Sequence, residues 1–116
     1  MLKLNIIHEE GNMRSQTIRD VARNKLWKEF KKSIGNDFIG VLEHHIARTA
    51  GMPLDTLVLL KPKEFKKLFI QVFGLQGWSI FIGAMLNICR KMSLDKEIVY
   101  KWFHIEEEFD LAYFSI

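Results

Sequence analysis

The strongest constraint on the fold is a long stretch without charge. From Leu68 to Cys89 there are 22 uncharged residues, with a pair of basic residues on each side. A stretch of this length could cross a bilayer as one helix. Polar side chains interrupt it, however, and Gly74-Leu75-Gln76-Gly77 is typical of a helix end followed by a turn. We therefore predict two short buried helices here rather than a membrane span.

The rest of the chain also predicts helices. Apolar residues recur at the three- and four-residue spacing of amphipathic helices, and the 116 residues are 48% hydrophobic and 27% charged, as in globular proteins. We predict one mainly α domain over residues 1–116, a compact bundle of about five helices around a central apolar helix. A short strand at residues 2–7 is an additional expectation. The predicted helical segments are residues 15–34, 37–50, 54–60, 62–73, 78–92 and 93–104.

Five residues are predicted to set the helix boundaries. Gly35 and Gly51 each suit the position just after a helix, where glycine tolerates a left-handed conformation. Asp37 and Ser93 are of the types that cap helix N-termini. Pro62 suits the first turn of a helix, where no backbone N–H is needed.

Charge is distributed unevenly along the chain. Lys and Arg total 17 against 14 Asp and Glu, a net charge of +3. Residues 14–32 carry seven basic side chains against two acidic ones. Most of these cations share the helix face opposite the apolar one, and such a face can bind phosphates. The candidate nucleic-acid-binding residues are Arg14, Lys25, Lys28, Lys31 and Lys32.

The C-terminal segment combines acidic and apolar residues. Its apolar content predicts that it docks on the core, pairs with residues 2–7 as a strand, or docks on a second subunit. A symmetric dimer could place each acidic tail on the basic helix of the partner. The candidate interaction residues are Glu106, Glu107, Glu108, Asp110, Tyr113 and Phe114.

The sequence contains no recognisable catalytic motif. Gly-rich phosphate loops, His-Glu-x-x-His and Cys-x-x-Cys are absent. His44 and His45 are adjacent, so on a helix they point about 100° apart and cannot chelate one ion together. The single cysteine, Cys89, excludes an internal disulfide framework and is typical of a cytoplasmic protein. We predict no enzymatic activity, no metal and no cofactor.

Residues 46–60 match the skeleton of a helix-turn-helix through Ala47, Gly51 and Leu57. None of the outward positions expected for its second helix is Arg, Lys, Asn or Gln, the side chains that read base edges, and Asp55 would repel phosphate. We interpret the segment as a packing corner rather than a DNA-reading motif. The expected outward positions are Pro53, Leu54, Asp55, Thr56, Val58 and Leu59.

A family resemblance rests on apolar landmarks between residues 34 and 92. These landmarks are the turn Ala50-Gly51-Met52, the apolar run 57–60, Pro62 with Phe65, Leu68 or Phe69, and Phe73-Gly74 followed by Gly77 and an apolar helix. In this pattern the chain resembles small helical output domains that accompany archaeal signalling proteins. The resemblance implies a non-catalytic module that passes a signal by association. No sensor or receiver segment is recognised here, so we expect the chain to act alone or in trans.

The leading prediction is a non-enzymatic helical interaction or regulatory module in signalling or transcription control. We expect it to be a cytoplasmic homodimer, with a further protein partner left open and membrane association not expected. One alternative is a nucleic-acid-binding protein that uses the basic N-terminal helix. Another is a small-ligand carrier with an apolar pocket. Whether translation starts at Met1 or Met13 also stays open.

Overall fold

The computed structural model describes residues 20–105, which form a mainly α protein of five helices. No strand occurs within that range, and the strand predicted at residues 2–7 lies outside it. The predicted fold class is confirmed. The helices are α1 (residues 20–34), α2 (Asn36–Leu42, continued by the π-helical turn Glu43–Ala47 and by Arg48–Ala50), α3 (Leu54–Leu60), α4 (Pro62–Lys91) and α5 (Glu97–Trp102).

Helices α1 and α2 are separated by a single residue, Gly35. Its backbone angles, φ 92° and ψ 161°, belong to a region that is essentially restricted to glycine. The predicted end of α1 is therefore confirmed. The predicted N-cap role of Asp37 is wrong, because Gly35 already occupies that position and α2 begins at Asn36. Asp37 instead lies in the first turn, where a carboxylate suits the positive end of the helix.

Gly51 ends α2 as predicted. It adopts the left-handed conformation, with φ 72° and ψ 28°. Its N–H donates to the carbonyl of Ala47 at 2.9 Å, and the N–H of Met52 donates to the same carbonyl at 3.3 Å. Two donors thus satisfy a carbonyl that would otherwise have no partner at the helix end.

Helix α4 is folded back on itself at Gly74. Residues 65 and 81 of a straight helix would lie about 24 Å apart along its axis. The ring centroids of Phe65 and Phe81 are only 5.5 Å apart. Gly74, with φ 78° and ψ 174°, makes the reversal. Helix α4 is therefore a hairpin of a first arm, residues 62–73, and a second arm, residues 75–91.

The second arm begins three residues earlier than predicted. Residues 75–77 continue the helix instead of forming a turn, so one residue, Gly74, makes the whole reversal. Gly77 allows the arms to approach closely, since a Cβ atom there would lie 2.8 Å from the Cβ of Phe73. The predicted pair of short helices is confirmed with this shift.

By length and composition alone, α4 could cross a membrane. Each arm by itself is shorter than the roughly 20 residues that a spanning helix needs. Only 33% of the most apolar window of α4 is buried, so much of its apolar surface has no described residue covering it.

An aromatic cluster joins the arms to the other helices. Phe65 and Phe69 of the first arm pack on Trp78 and Phe81 of the second, with centroid separations between 5.1 and 6.2 Å. Phe30 of α1 lies 5.0 Å from Phe81. The second arm is therefore the central apolar helix that the sequence predicts.

Helix α5 begins later than predicted, and its N-cap position is occupied by Lys96 instead of Ser93. Ser93 has a left-handed φ of 58° at the end of α4 and makes no cap. Asp95 accepts a hydrogen bond from the N–H of Glu97 at 3.0 Å, so it supplies a side-chain acceptor at the start of α5. At the other end, Trp102 Nε1 donates to the carbonyl of Val58 at 2.9 Å and ties α5 to α3.

We expect Gly74→Ala to destabilise the fold by about 1–3 kcal/mol, because alanine would be forced into the glycine-only conformation. The measurement is the free energy of unfolding in urea. Gly83→Ala, in the same helix with no atom within 4 Å of the added Cβ, is the control. It should stabilise the protein by about 0.5–1 kcal/mol. Equal effects of the two substitutions would contradict the reversal at Gly74.

Candidate interaction surfaces

A groove with an entirely apolar lining lies between α1, α2 and the hairpin. Its volume is about 200 Å³. It is lined by Phe30, Ile34, Phe38, Phe69, Phe73, Gly77, Ile80, Phe81 and Ala84. We call this surface the apolar groove.

The apolar groove is bordered by exposed aliphatic side chains. Ile80 is 69% exposed and Ile34 is 38% exposed, although both belong to predominantly apolar helix faces. Phe38 and Phe73, with ring centroids 6.1 Å apart, connect α2 to the hairpin. Among residues 20–105, nothing covers Ile80. Exposed apolar surface of this kind marks sites of association in soluble proteins.

The predicted basic face of α1 is partly engaged inside the molecule. Lys25, Lys28 and Lys32 are exposed. Lys32 lies 3.6 Å from a carboxylate oxygen of Glu29 on the same helix. Lys31 is half-buried and bound to a carboxylate of α3. Arg14, the fifth predicted residue, lies outside the described range.

Hydrogen bonds between side chains of α1 and α3 account for the position of Lys31. Trp27 Nε1 donates to Asp55 Oδ1 at 2.6 Å, and Lys31 Nζ donates to both carboxylate oxygens at 2.9 and 3.1 Å. Burial raises the pKa of the Asp55 carboxyl, but these two hydrogen bonds and the Lys31 charge lower it by more. The pKa therefore lies below its usual value of 3.8. Sequence spacing gave no indication of this contact, since 28 residues separate Trp27 from Asp55.

The segment that matches a helix-turn-helix is a packing element. Leu54 and Val58, expected to point outward, are 5% and 0% exposed and belong to the core. That expectation is wrong because the short α3 turns its apolar side inward. Asp55 and Thr56 remain exposed, but Asp55 is bound to α1. No basic side chain of α3 is available to read a groove in nucleic acid.

A basic cluster that the sequence analysis did not identify lies at the start of α4. Its members come from three parts of the chain: Lys63 and Lys66 from α4, Arg23 from α1 and His104 from the residues after α5. Limited burial and the neighbouring charges of Lys63, Lys66 and Arg23 lower the pKa of His104. The run of lysines at residues 61–67 was the available signal. We call these four residues the basic cluster.

The described residues do not form a metal or nucleophile centre. No group of three or more His, Cys, Asp or Glu side chains within residues 20–105 is arranged to hold a metal ion. The rings of His44 and His45 lie 4.8 Å apart, and both side chains are exposed. Cys89 is buried; burial and the nearby Asp95 charge raise the pKa of its thiol, which disfavours the reactive thiolate.

A wide depression lies between the second arm of α4 and α5. It has a volume of about 870 Å³ and a mixed polar and apolar lining that includes Arg90, Lys96 and Tyr100. Arg90 is held by a 2.8 Å hydrogen bond to Asn87. The residues that line this depression thus differ from the predominantly apolar lining that is usual for small-molecule pockets.

The predicted C-terminal interaction residues lie outside the described range. These are Glu106, Glu107, Glu108, Asp110, Tyr113 and Phe114. Their predicted roles therefore stay predictions.

We expect Asp55→Ala to destabilise the protein by about 1–2 kcal/mol at pH 7, because the buried indole N–H of Trp27 loses its acceptor. Asp55→Asn keeps an acceptor oxygen and should lose less. Since the folded-state pKa of Asp55 lies below 3.8, its charge stabilises the fold at neutral pH. This contribution is lost as the pH falls through the folded-state pKa. The difference in urea midpoint between the wild type and Asp55→Asn should therefore become smaller at acidic pH. A difference that does not change with pH would contradict the role of the Asp55 carboxylate in joining α1 to α3.

No family model, no curated protein and no solved structure matches this chain. The resemblance to helical output domains stays a prediction. Any assignment of function therefore rests on the surfaces described above.

Proposed function

We propose that this protein is a non-enzymatic helical interaction module that self-associates through the apolar groove. The observation that carries the proposal is the 69% exposure of Ile80 beside a groove with an entirely apolar lining. Covering this surface with a second copy would remove apolar area from water, which is the main driving force of protein association. A module of this kind acts by bringing chains together, as regulatory proteins in signalling and transcription control do.

A symmetric dimer needs a surface that is complementary to itself. The apolar groove offers both parts of such a contact. Ile80 projects as a knob at the edge, and the groove beside it, lined by Phe38, Phe73 and Ala84 among others, is the recess. In a twofold arrangement, Ile80 of each copy enters the apolar groove of the other. This complementarity favours a second copy over an unrelated partner.

The volume of the groove argues against a small-ligand carrier. Pockets for small molecules usually measure about 300–1,000 Å³ and enclose most of the ligand. The groove, at about 200 Å³, is smaller and bounded by exposed side chains. Its shape suits the inserted side chain of a partner better than an enclosed ligand.

The engagement of Lys31 and Lys32 with Asp55 and Glu29 argues against nucleic-acid binding by α1. Each carboxylate reduces the positive potential that phosphate binding needs. Lys25, Lys28 and Lys32 remain exposed among the described residues, and three cations beside these carboxylates provide only weak, salt-sensitive binding.

We expect Ile80→Asp to weaken the dimer by about 2 kcal/mol, or roughly 30-fold in the dissociation constant. The physical reason is that the contact would then bury an unpaired carboxylate. The folded state should survive, because Ile80 is mostly exposed. Sedimentation equilibrium measures the association, and circular dichroism checks the helix content.

Leu60→Asp is the matched control for this experiment. Leu60 is 75% exposed but lies at the end of α3, outside the groove, so its dimer should be unchanged. Lys25→Glu with Lys28→Glu should likewise leave self-association unchanged. A wild-type protein that stays monomeric at high concentration, or an Ile80→Asp variant that still dimerises fully, would refute the proposal.

A further inference from the structure

The basic cluster forms a surface separate from the apolar groove. Lys66 Nζ lies 5.7 Å above the ring centroid of Trp78. The Trp78 ring is 5.5 Å from the ring of Phe103, the residue before His104. This chain of contacts brings Lys66 and His104 to the same side of the hairpin.

The described residues leave this surface with excess positive charge. Lys63 and Lys66 lie in the first two turns of α4, where the helix dipole disfavours cations. Glu64 is the one acidic residue in that first turn. The ion pairs formed within residues 20–105 involve Lys31 and Lys32, not the lysines of the cluster. Asp20 and Asp55 share a cleft with Arg23 and reduce the positive potential there.

A negatively charged segment follows His104 of the basic cluster almost directly in the sequence. Residues 106, 107, 108 and 110 are all acidic, and Ile105, which precedes them, is buried and hydrogen-bonded to the carbonyl of Tyr100 at 2.8 Å. Only Ile105 separates His104 from the acidic run, which begins at residue 106. Such a short tether gives the acidic segment a very high effective concentration at the basic cluster.

We propose that the basic cluster is a docking surface for an acidic peptide, and that its occupant is residues 106–110 of the same chain. The inference is independent of the apolar groove. It replaces the predicted exchange of acidic tails between two copies, since the short tether favours the cluster of the same molecule. Filled in this way, the cluster is closed to phosphate-bearing ligands.

Whether the substitution Lys63→Gln stabilises or destabilises the folded protein tests the proposal. If the cluster were unoccupied, Lys63→Gln would relieve repulsion between like charges and raise the folding equilibrium constant. With the acidic segment docked, Lys63→Gln removes an attraction, and the constant should fall about threefold. Urea unfolding of the full chain at low salt measures the constant. Lys28→Gln, an exposed lysine of α1 outside the cluster, should change it little.

Coupling to the acidic segment identifies the occupant. The triple variant Glu106→Gln, Glu107→Gln, Glu108→Gln should also lower the folding constant. When the triple variant and Lys63→Gln are combined in one protein, the folding constant should fall by clearly less than the two fold-changes multiplied together. The reason is that both changes remove the same interaction. Independent effects, or a stabilising Lys63→Gln, would overturn the proposal.

A second set of measurements separates contacts within one chain from contacts between copies. The same coupling is measured in the Ile80→Asp background at two protein concentrations tenfold apart. Coupling that persists unchanged supports docking within the chain, whereas coupling that disappears in this background would overturn it. A failure of groove-mediated dimerisation leaves this readout intact, so the two proposals fail separately.

Discussion

The reversal of α4 at Gly74 is the constraint on which the rest of the structure depends. It turns a uniformly apolar segment into two arms whose aromatic side chains face each other, Phe65 and Phe69 against Trp78 and Phe81. The other helices then pack on a surface that exists only after the reversal. The same reversal leaves the outer side of the second arm, near residue 80, uncovered by any residue between 20 and 105. The core and the proposed interaction surface therefore have one common origin in this protein.

Some charged residues in this chain form hydrogen bonds and ion pairs that join one helix to another. Asp55 holds Trp27 and Lys31, so a helix that is strongly basic in sequence is less basic in the folded protein. The lysines at the start of α4 have no such partner among the described residues. The positive surface potential of the folded protein therefore depends mainly on which lysines and arginines form ion pairs. Their clustering in the sequence is a secondary factor.

The glycines that end helices were predictable, whereas the N-caps predicted at Asp37 and Ser93 were wrong and residues whose role depends on distant contacts were missed. The helix ends at Gly35, Gly51 and Gly74 follow from positive-φ conformations that glycine adopts most easily, and they were predicted correctly. The inward side of α3 was not, because seven residues make too few turns for a periodicity to identify the buried face. The engagement of Lys31 was not predictable either, because its partner lies 24 residues away. The groove beside Ile80 depends on how the two arms of α4 are oriented relative to α1 and α2. No local sequence pattern predicts that orientation.

The single-residue join between α1 and α2 has a consequence for how sequences of this type can vary in length. One added residue at position 35 would change the direction in which α2 leaves α1 and so displace the helices that follow. The join at Lys61, between α3 and α4, has the same property. Insertions and deletions between residues 20 and 105 should therefore be tolerated mainly in the segment 92–96, which connects two helices without regular structure. Homologous chains would then differ in length there, while the spacing from residue 20 to residue 91 stays constant.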